Sequence, residues 1–299
     1  MGLTRLPPVI LLTLSALFWG GNFVVGRWAH TEIAPLSLTY WRWILAGAIL
    51  LPFVAGPVWR DRALVLRHWR LLAILSMSGM AMFHSFTYIA LSTTTAINAA
   101  VVLASMPMVI PVVSFLIGDE RLGPRQSLGI AISLAGVGVI VSRGEWAVLA
   151  GLQFTPGDVW ILAAVLAWSV YSVLLRRLPA EMPPMVMLGV CMWLAVGMLT
   201  PFYLWELGQV GSFAPTGPTL AALAYVAVFA GIVAFVCWNA AVPRVGANKA
   251  GLFIHLIPVF ASIFSILFLG ESLYAYHFAG IAPIVAGIYL TTTAKTRTA

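Results

Sequence analysis

Charged residues are scarce in this chain. Of its 299 residues 8% are charged and only nine are Asp or Glu, whereas 62% are hydrophobic. Soluble domains carry roughly 25% charged residues, so this composition cannot give a water-soluble fold a polar surface. The mean hydropathy of +1.00 points the same way. The composition therefore predicts an integral membrane protein in contact with the lipid bilayer.

Cysteine and the short motifs of enzymes are also nearly missing. Cys191 and Cys237 stand alone, without a CxxC pair or a histidine cluster, which argues against a disulfide framework or a metal site. The sequence contains neither HExxH nor GxSxG nor clustered acids, so we expect no cofactor and no enzymatic activity. The pI near 9.9 would suit a nucleic-acid partner, but membrane topology explains the basic residues better.

Long hydrophobic runs, in contrast, fill the chain. A helix needs about 20 apolar residues to cross the hydrocarbon layer of a bilayer, and ten such runs are present. They cover residues 7–29, 33–55, 71–91, 96–117, 125–142, 156–178, 183–205, 218–241, 248–269 and 274–292. The sequence thus predicts an all-α membrane protein with ten transmembrane helices.

The basic residues lie mainly on one side of these predicted helices. With the N-terminus in the cytoplasm, thirteen Lys and Arg residues fall in the inner loops and tails and two, Arg27 and Arg143, on the outer side. Cytoplasmic loops carry such an excess of positive charge. The pattern predicts a multi-pass protein of the cell membrane, the inner one in bacteria, with both termini in the cytoplasm.

The two halves of the sequence resemble each other. A shift of 151 residues places Pro107 on Pro258, Glu120 on Glu271 and Gly129 on Gly280, and a shift of 149 places Trp19 on Trp168. Each copy holds five predicted helices, an odd number, so the second copy must run through the membrane upside down. Residues 1–148 and 149–299 are the predicted repeats, and inverted repeats around a central cavity are typical of secondary transporters.

Polar and aromatic residues form stripes on four of the predicted helices. Residues three and four positions apart share one helix face, and lipid offers polar groups no partner. We therefore predict that these stripes line a central cavity, although they could instead only bond one helix to another. The predicted substrate-binding residues are Trp19, Asn22, His84, Thr87, Tyr88, Trp168, Tyr171, Trp238 and Asn239.

The charges that this cavity lacks restrict its cargo. No Asp or Glu lies near the middle of a predicted helix, whereas a drug-cation/proton antiporter needs a buried carboxylate. Arg42 is the one basic residue clearly embedded, too few for phosphorylated cargo. Its role is open at this stage: it could bind a carboxylate, bond backbone carbonyls or reach outward to the interface. His84 and His255 leave proton coupling equally open.

Small residues predict close helix contacts. Ala131 and Ala135 have the small-xxx-small spacing that lets helices approach, and the shift of 151 places them on Ala282 and Ala286. The contact could form inside one chain or across a homodimer, and the sequence does not decide between monomer and homodimer.

Several stretches resemble the EamA family of the drug/metabolite transporter superfamily. They include "ALFWGGNFVVGRW", "YWRWILAG" and the paired "PMVIPVVSFLIGDERL" and "PVFASIFSILFLGESL". Within that family the chain is most similar to YddG-type exporters of aromatic and other amino acids. The resemblance implies ten helices in two inverted repeats, with the fifth and tenth at the periphery of the central cavity.

Together these observations predict an exporter of amino acids or similar small metabolites that works by alternating access. The alternatives are an exporter of drugs or sugar-derived metabolites, a membrane-embedded enzyme, and a non-transporting scaffold protein.

Overall fold

The structure is a computed structural model that describes residues 6–29, 31–93, 99, 102–117, 120–121, 123–151, 155–269, 274–293 and 297–298. Within these residues nine helical segments are long and apolar enough to cross a membrane. The chain is accordingly a multi-pass membrane protein built almost entirely of helices. Outside the helices, Glu120–Arg121 and Arg297–Thr298 pair as two short antiparallel strands.

The helices follow the predicted order closely. They are α1 (Pro8–Ala29), α2 (Pro35–Arg60), α3 (Trp69–Leu91), α4 (Met106–Ile117), α5 (Pro124–Val141), α6 (Pro156–Arg177), α7 (Pro184–Val210), α8 (Gly217–Val245), α9 (Ala247–Gly251, continuing through Leu252–His255 and Leu256–Leu269) and α10 (Ala275–Thr292). Short helices at Arg62–Arg67 and Trp146–Ala150 lie between them.

The described helices differ from the predicted boundaries at the ends of α2 and α7 and at the start of α4. Helices α2 and α7 run five residues beyond the predicted apolar runs, because a helix can continue into the polar interface after its hydrophobic stretch has ended. The predicted fourth span began at residue 96, which lies outside the described residues, and its described helix α4 has 12 residues. Ten transmembrane helices and the repeat boundary after residue 148 therefore stay predictions.

Both α3 and α8 contain a π-helical segment at matching positions. The segments are Ser76–Met82 and Val226–Val233, which a shift of about 151 residues superposes. A π-helical turn widens the helix and redirects backbone carbonyls. Two of these carbonyls accept tryptophan N–H groups, with Trp43 Nε1 donating to Met80 O at 3.1 Å and Trp19 Nε1 donating to Ala230 O at 3.2 Å.

Helices α5 and α10 cross at glycine residues. A methyl group placed on Gly129 would lie 2.7 Å from the carbonyl oxygen of Gly287, and one on Gly280 would lie 2.8 Å from that of Gly136. Such separations are shorter than real carbon–oxygen contacts, so only glycine permits this approach. The glycine face thus brings the two backbones together.

The predicted contact through alanines is wrong inside the chain. The side chains of Ala131, Ala135, Ala282 and Ala286 are all exposed, on the faces of α5 and α10 that point away from their mutual contact. Inside the chain the close approach of α5 and α10 runs through Gly129 and Gly136 instead, because glycine allows a closer approach than alanine does. The other alternative, an alanine contact across a homodimer, stays a prediction.

A buried carboxylate ties α7 to the start of α2. Glu206 accepts the backbone N–H groups of Leu36 and Ser37 at 3.0 and 2.7 Å and the Ser37 hydroxyl at 2.8 Å. The first N–H groups of a helix have no partner within it, and the positive end of the helix dipole favours an anion. Glu206 therefore caps a helix other than its own.

Candidate functional site

A cavity of about 1170 Å³ opens at one end of the helix bundle. Two of its lining residues, Trp19 and Trp168, lie near the middle of α1 and α6, and its rim includes the exposed residues Trp28, Arg143 and Pro218. The rim lies where α1 finishes and α8 begins, which we call the cavity end. The other end, where α1 begins and α8 finishes, is called the sealed end.

The predicted site residues divide into two groups. Six line the cavity: Trp19, Asn22, His84, Thr87, Tyr88 and Trp168. The other three, Tyr171, Trp238 and Asn239, do not line it and are packed on its closed side, at most 5% exposed. We call the six residues the open half of the site, and these three together with Ser172 the closed half.

Aromatic rings form the floor between the two halves. Trp19 packs edge-on against Trp168 with ring centroids 5.0 Å apart, and Trp238 lies 5.3 and 5.5 Å from these two rings. Edge-to-face and tilted ring pairs at such distances stabilise beyond the area they bury. The Trp168 indole N–H is itself buried and has no hydrogen-bond partner, so the face that the floor presents to the cavity is mainly apolar.

Three polar side chains form a chain of hydrogen bonds in the wall of the open half. Arg42 Nη1 donates to the Tyr88 hydroxyl at 3.0 Å, and that hydroxyl donates to Asn22 Oδ1 at 3.3 Å. Arg42 is completely buried, so it does not reach outward, and none of its nitrogens donates to a backbone carbonyl among the described residues. Two of the three roles considered from the sequence are therefore not what the structure shows.

The other two predicted site residues of α3, Thr87 and His84, bond to their own helix. The Thr87 hydroxyl donates to the Phe83 carbonyl at 2.7 Å, and His84 Nδ1 lies 3.3 Å from the Met80 carbonyl oxygen. Because a carbonyl only accepts, His84 carries its proton on Nδ1 in this contact. These bonds satisfy polar groups at membrane depth and leave Tyr88 and Asn22 as the side chains aimed across the cavity wall.

His255 is a wall residue that was not among the predicted site residues. Its Nε2 lies 2.9 Å from the Ala104 carbonyl oxygen and its Nδ1 lies 2.6 Å from the Ser133 hydroxyl. Nε2 must therefore donate, and Nδ1 of the neutral ring accepts from Ser133. The ring thus joins α9 to α5 and to the segment before α4. A signal was present, since the shift of 151 residues places Ala104 on His255.

The closed half contains a second tyrosine–asparagine pair. The Tyr171 hydroxyl donates to Asn239 Oδ1 at 2.6 Å. Several of its other polar atoms lack partners, namely Asn239 Nδ2, Trp238 Nε1 and Ser172 Oγ. Buried polar atoms without partners are rare and unfavourable, and here they cluster below the tryptophan floor.

Two further buried rings were not predicted as site residues. Phe235 packs against Trp19, Trp43, His84, Trp168 and Tyr171, with centroid distances between 5.3 and 6.0 Å. Trp43, completely buried, stacks edge-on against His84 at 5.3 Å. Phe235 belongs to a polar stripe of α8 in the sequence, but its position at the centre of the floor follows from the tertiary packing of several helices.

Direct contacts close the sealed end. The Ser15 hydroxyl donates to the Ala234 carbonyl at 2.9 Å, and Arg244 donates to the Leu6 carbonyl at 2.8 Å. Arg177 joins α6 to the end of α4 through the Ile117 carbonyl at 2.7 Å. A solute in the cavity therefore reaches the cavity end and is separated from the sealed end.

The EamA-like transporter family model matches this chain twice, over residues 6–142 and 155–293. An uncharacterized transporter of Archaeoglobus fulgidus is 28% identical, covering 95% of this chain and 96% of its own length. A probable amino-acid metabolite efflux pump of Salmonella typhimurium is 25% identical, covering 94% and 93%. A protein of known crystal structure has a TM-score of 0.78 at 22% identity over 95% of this chain and 96% of that chain, which shows the shared fold.

Proposed function

Because this chain belongs to the EamA-like transporter family, we propose that it is a secondary transporter that exports amino acids, aromatic and other neutral ones, or similar small metabolites. Transport proceeds by alternating access, in which the site opens to one side of the membrane and then to the other. Within this account the protein lies in the cell membrane as ten helices in two inverted five-helix repeats, 1–148 and 149–299.

Contacts between repeat-equivalent residues support the inverted repeat. A shift of 151 residues carries the Gly129–Gly287 contact onto the Gly280–Gly136 contact, so each partner takes the place of the other. Such reciprocity is the mark of a two-fold relation. Trp19 and Trp168, equivalent under the shift of 149, also touch each other, and the family model matches each half of the chain separately.

The observation that carries the proposal is the pair of tyrosine–asparagine hydrogen bonds. Under the two shifts Asn22 is equivalent to Tyr171 and Tyr88 is equivalent to Asn239, so the same bond recurs with the residue types exchanged. One pair lines the open cavity and the other is packed shut. When the repeats exchange conformations, the closed pair would line a cavity at the sealed end.

The wall chemistry supports a small neutral or zwitterionic solute with an apolar part. Indole rings form an apolar floor, and Tyr88 and Asn22 supply polar groups in the wall. The named activity of the Salmonella typhimurium relative agrees with amino-acid cargo.

The distribution of arginine supports the orientation. Arg60, Arg62, Arg67 and Arg70 follow α2 at the sealed end, whereas Arg143 lies at the cavity rim. With the positive end in the cytoplasm, both termini are cytoplasmic and the present cavity faces the outside.

The test is flux in liposomes containing the purified full-length protein. Radiolabelled phenylalanine, threonine and methionine should cross the membrane faster than in empty liposomes, with and without an imposed pH gradient. Unlabelled drugs and sugar derivatives serve as competitors. Absence of flux for every labelled amino acid, or competition by drugs alone, would contradict the proposal.

A further inference from the structure

Arg42 is a buried cation without a compensating anion. Its guanidinium is 0% exposed and lies 4.9 Å from the centroid of the Trp43 ring. Its Nη1 donates to a tyrosine hydroxyl, and its Nε and Nη2 have no hydrogen-bond partner. No ion pair of Arg42 with an acidic side chain occurs in the part of the chain that the structure describes. Charged groups at membrane depth are unfavourable unless they pair, and where they persist they mark functional sites.

Tyr88 connects the buried guanidinium of Arg42 to the cavity by hydrogen bonds. The Tyr88 hydroxyl accepts from Arg42 and points its own proton at Asn22, and both Tyr88 and Asn22 line the cavity. Linked hydrogen bonds polarise one another in a low dielectric. A donor that accepts from a cation therefore becomes a stronger donor toward an anion. A carboxylate in the cavity can replace the neutral Asn22 oxygen as its acceptor.

The rest of the cavity wall reinforces this preference. Among the described residues that line the cavity, none is Asp or Glu, and Arg143 adds a positive charge at the rim. The tryptophan floor provides an apolar surface below. A solute could therefore place an anionic group beside the Tyr88 hydroxyl and an apolar body on the tryptophan floor.

The closed half lacks the corresponding cation. Under the shift of 149 residues Arg42 is equivalent to Cys191, whose thiol donates to the Leu72 carbonyl at 3.5 Å. The tyrosine–asparagine pair is thus repeated but the charge behind it is not.

We propose that Arg42, acting through the Tyr88 hydroxyl, makes the open half a carboxylate-binding site, so that the substrate joins a carboxylate to an apolar body. This inference rests on the proposed transport function and specifies its substrate class. Because Cys191 supplies no charge, the carboxylate is held more tightly when the cavity faces the present side than after the halves exchange.

The test measures binding of two matched probes to purified full-length protein in detergent by calorimetry. The probes are 3-phenylpropionate and 3-phenylpropanamide, which differ in charge and hardly in shape. We expect the carboxylate to bind about tenfold more tightly, the ratio that one charge-assisted hydrogen bond provides. In Tyr88→Phe and in Arg42→Gln the ratio of the two affinities should fall below about threefold.

Cys191→Ser is the matched control, since it alters the repeat-equivalent position, and it should keep the wild-type ratio. Tyr88→Phe retains both the ring and Arg42, so it decides the matter if Arg42→Gln fails to fold. Equal affinities in the wild type, no binding of either probe, or an unchanged ratio in Tyr88→Phe would overturn the inference. A flux measurement in liposomes separates the two proposals. If the protein prefers the carboxylate probe but transports nothing, only the transport function is contradicted. If it transports amino acids without this preference, only the carboxylate site is contradicted.

Discussion

The open and closed halves of the site contain the same hydrogen bond in opposite states of exposure. The Tyr88 hydroxyl lies 3.3 Å from Asn22 Oδ1 in the cavity wall. The Tyr171 hydroxyl lies 2.6 Å from Asn239 Oδ1 under the tryptophan floor. Residues that correspond under the two sequence shifts thus form one exposed and one buried pair, as the proposed inverted repeat requires.

The two halves also differ in how well their polar atoms are satisfied. In the open half Tyr88 and Asn22 are joined by a hydrogen bond and Trp19 donates to the Ala230 carbonyl. In the closed half Ser172, Trp238 and Asn239 each carry an unpartnered polar atom. Leaving such a group without a partner is unfavourable by about 1–3 kcal/mol. These unpartnered atoms favour opening of the closed half, because water or a substrate would then form hydrogen bonds with them.

The largest expected effect comes from disrupting the glycine contact between α5 and α10, which joins the two proposed repeats. Gly129→Leu forces a side chain against the Gly287 backbone, so α5 and α10 must separate. We expect loss of monodisperse protein, because overpacking against backbone cannot be relieved by a change of rotamer. Size-exclusion chromatography measures this directly. Gly138→Leu is the matched control, since a methyl group at Gly138 meets nothing within 4 Å, and an equal loss there would contradict the account.

The next effect concerns the floor that both halves share. Trp168→Ala removes a ring that touches Trp19, Trp238 and Tyr171 and also lines the cavity. We expect amino-acid flux in liposomes to fall at least tenfold while the protein stays folded. Trp205→Ala, which changes an indole that is 65% exposed, should retain wild-type flux. Full flux in Trp168→Ala would remove the floor from the substrate path.

A smaller change should move the balance between the halves. Tyr171→Phe deletes the hydrogen bond of the closed half and leaves its ring in place. One hydrogen bond contributes about 1 kcal/mol, so the population open at the sealed end should rise about fivefold. Distances between spin labels at the two ends measure this shift. Tyr88→Phe should change the same distances in the opposite direction or leave them as they are, and a shift of the same sign would contradict the pairing of the two bonds.

The smallest effect should appear where the repeats differ. Glu206 caps α2, but under the shift of 149 residues it corresponds to Pro57, so this cap has no counterpart. Glu206→Gln should lower stability by about 1 kcal/mol, the usual contribution of a helix cap, and reduce the melting temperature by about 2–4 °C. Glu181→Gln, at an exposed position, is the control. An unchanged melting temperature for Glu206→Gln would show that the cap is not needed.

Periodicity and composition predicted the helix order and the polar stripes, because the bilayer imposes helical length and hides polar groups. They could not predict which stripes would be exposed, because the stripes of both halves have similar polar and aromatic residues and exposure depends on the conformation of the bundle. The roles of Phe235 and Glu206 also depend on neighbours far along the chain. The exposed Ala131 and Ala135 show that spacing alone does not select a helix face.

The most direct test of the exchange between halves is cysteine accessibility in sealed vesicles of both orientations. Tyr88→Cys and Asn239→Cys are made separately in a Cys191→Ser, Cys237→Ser background and treated with a charged, membrane-impermeant thiol reagent. Alternating access predicts that position 88 reacts only from the cavity end and position 239 only from the sealed end. Reaction of both from the same side, or no reaction of position 239 from either side, would contradict it.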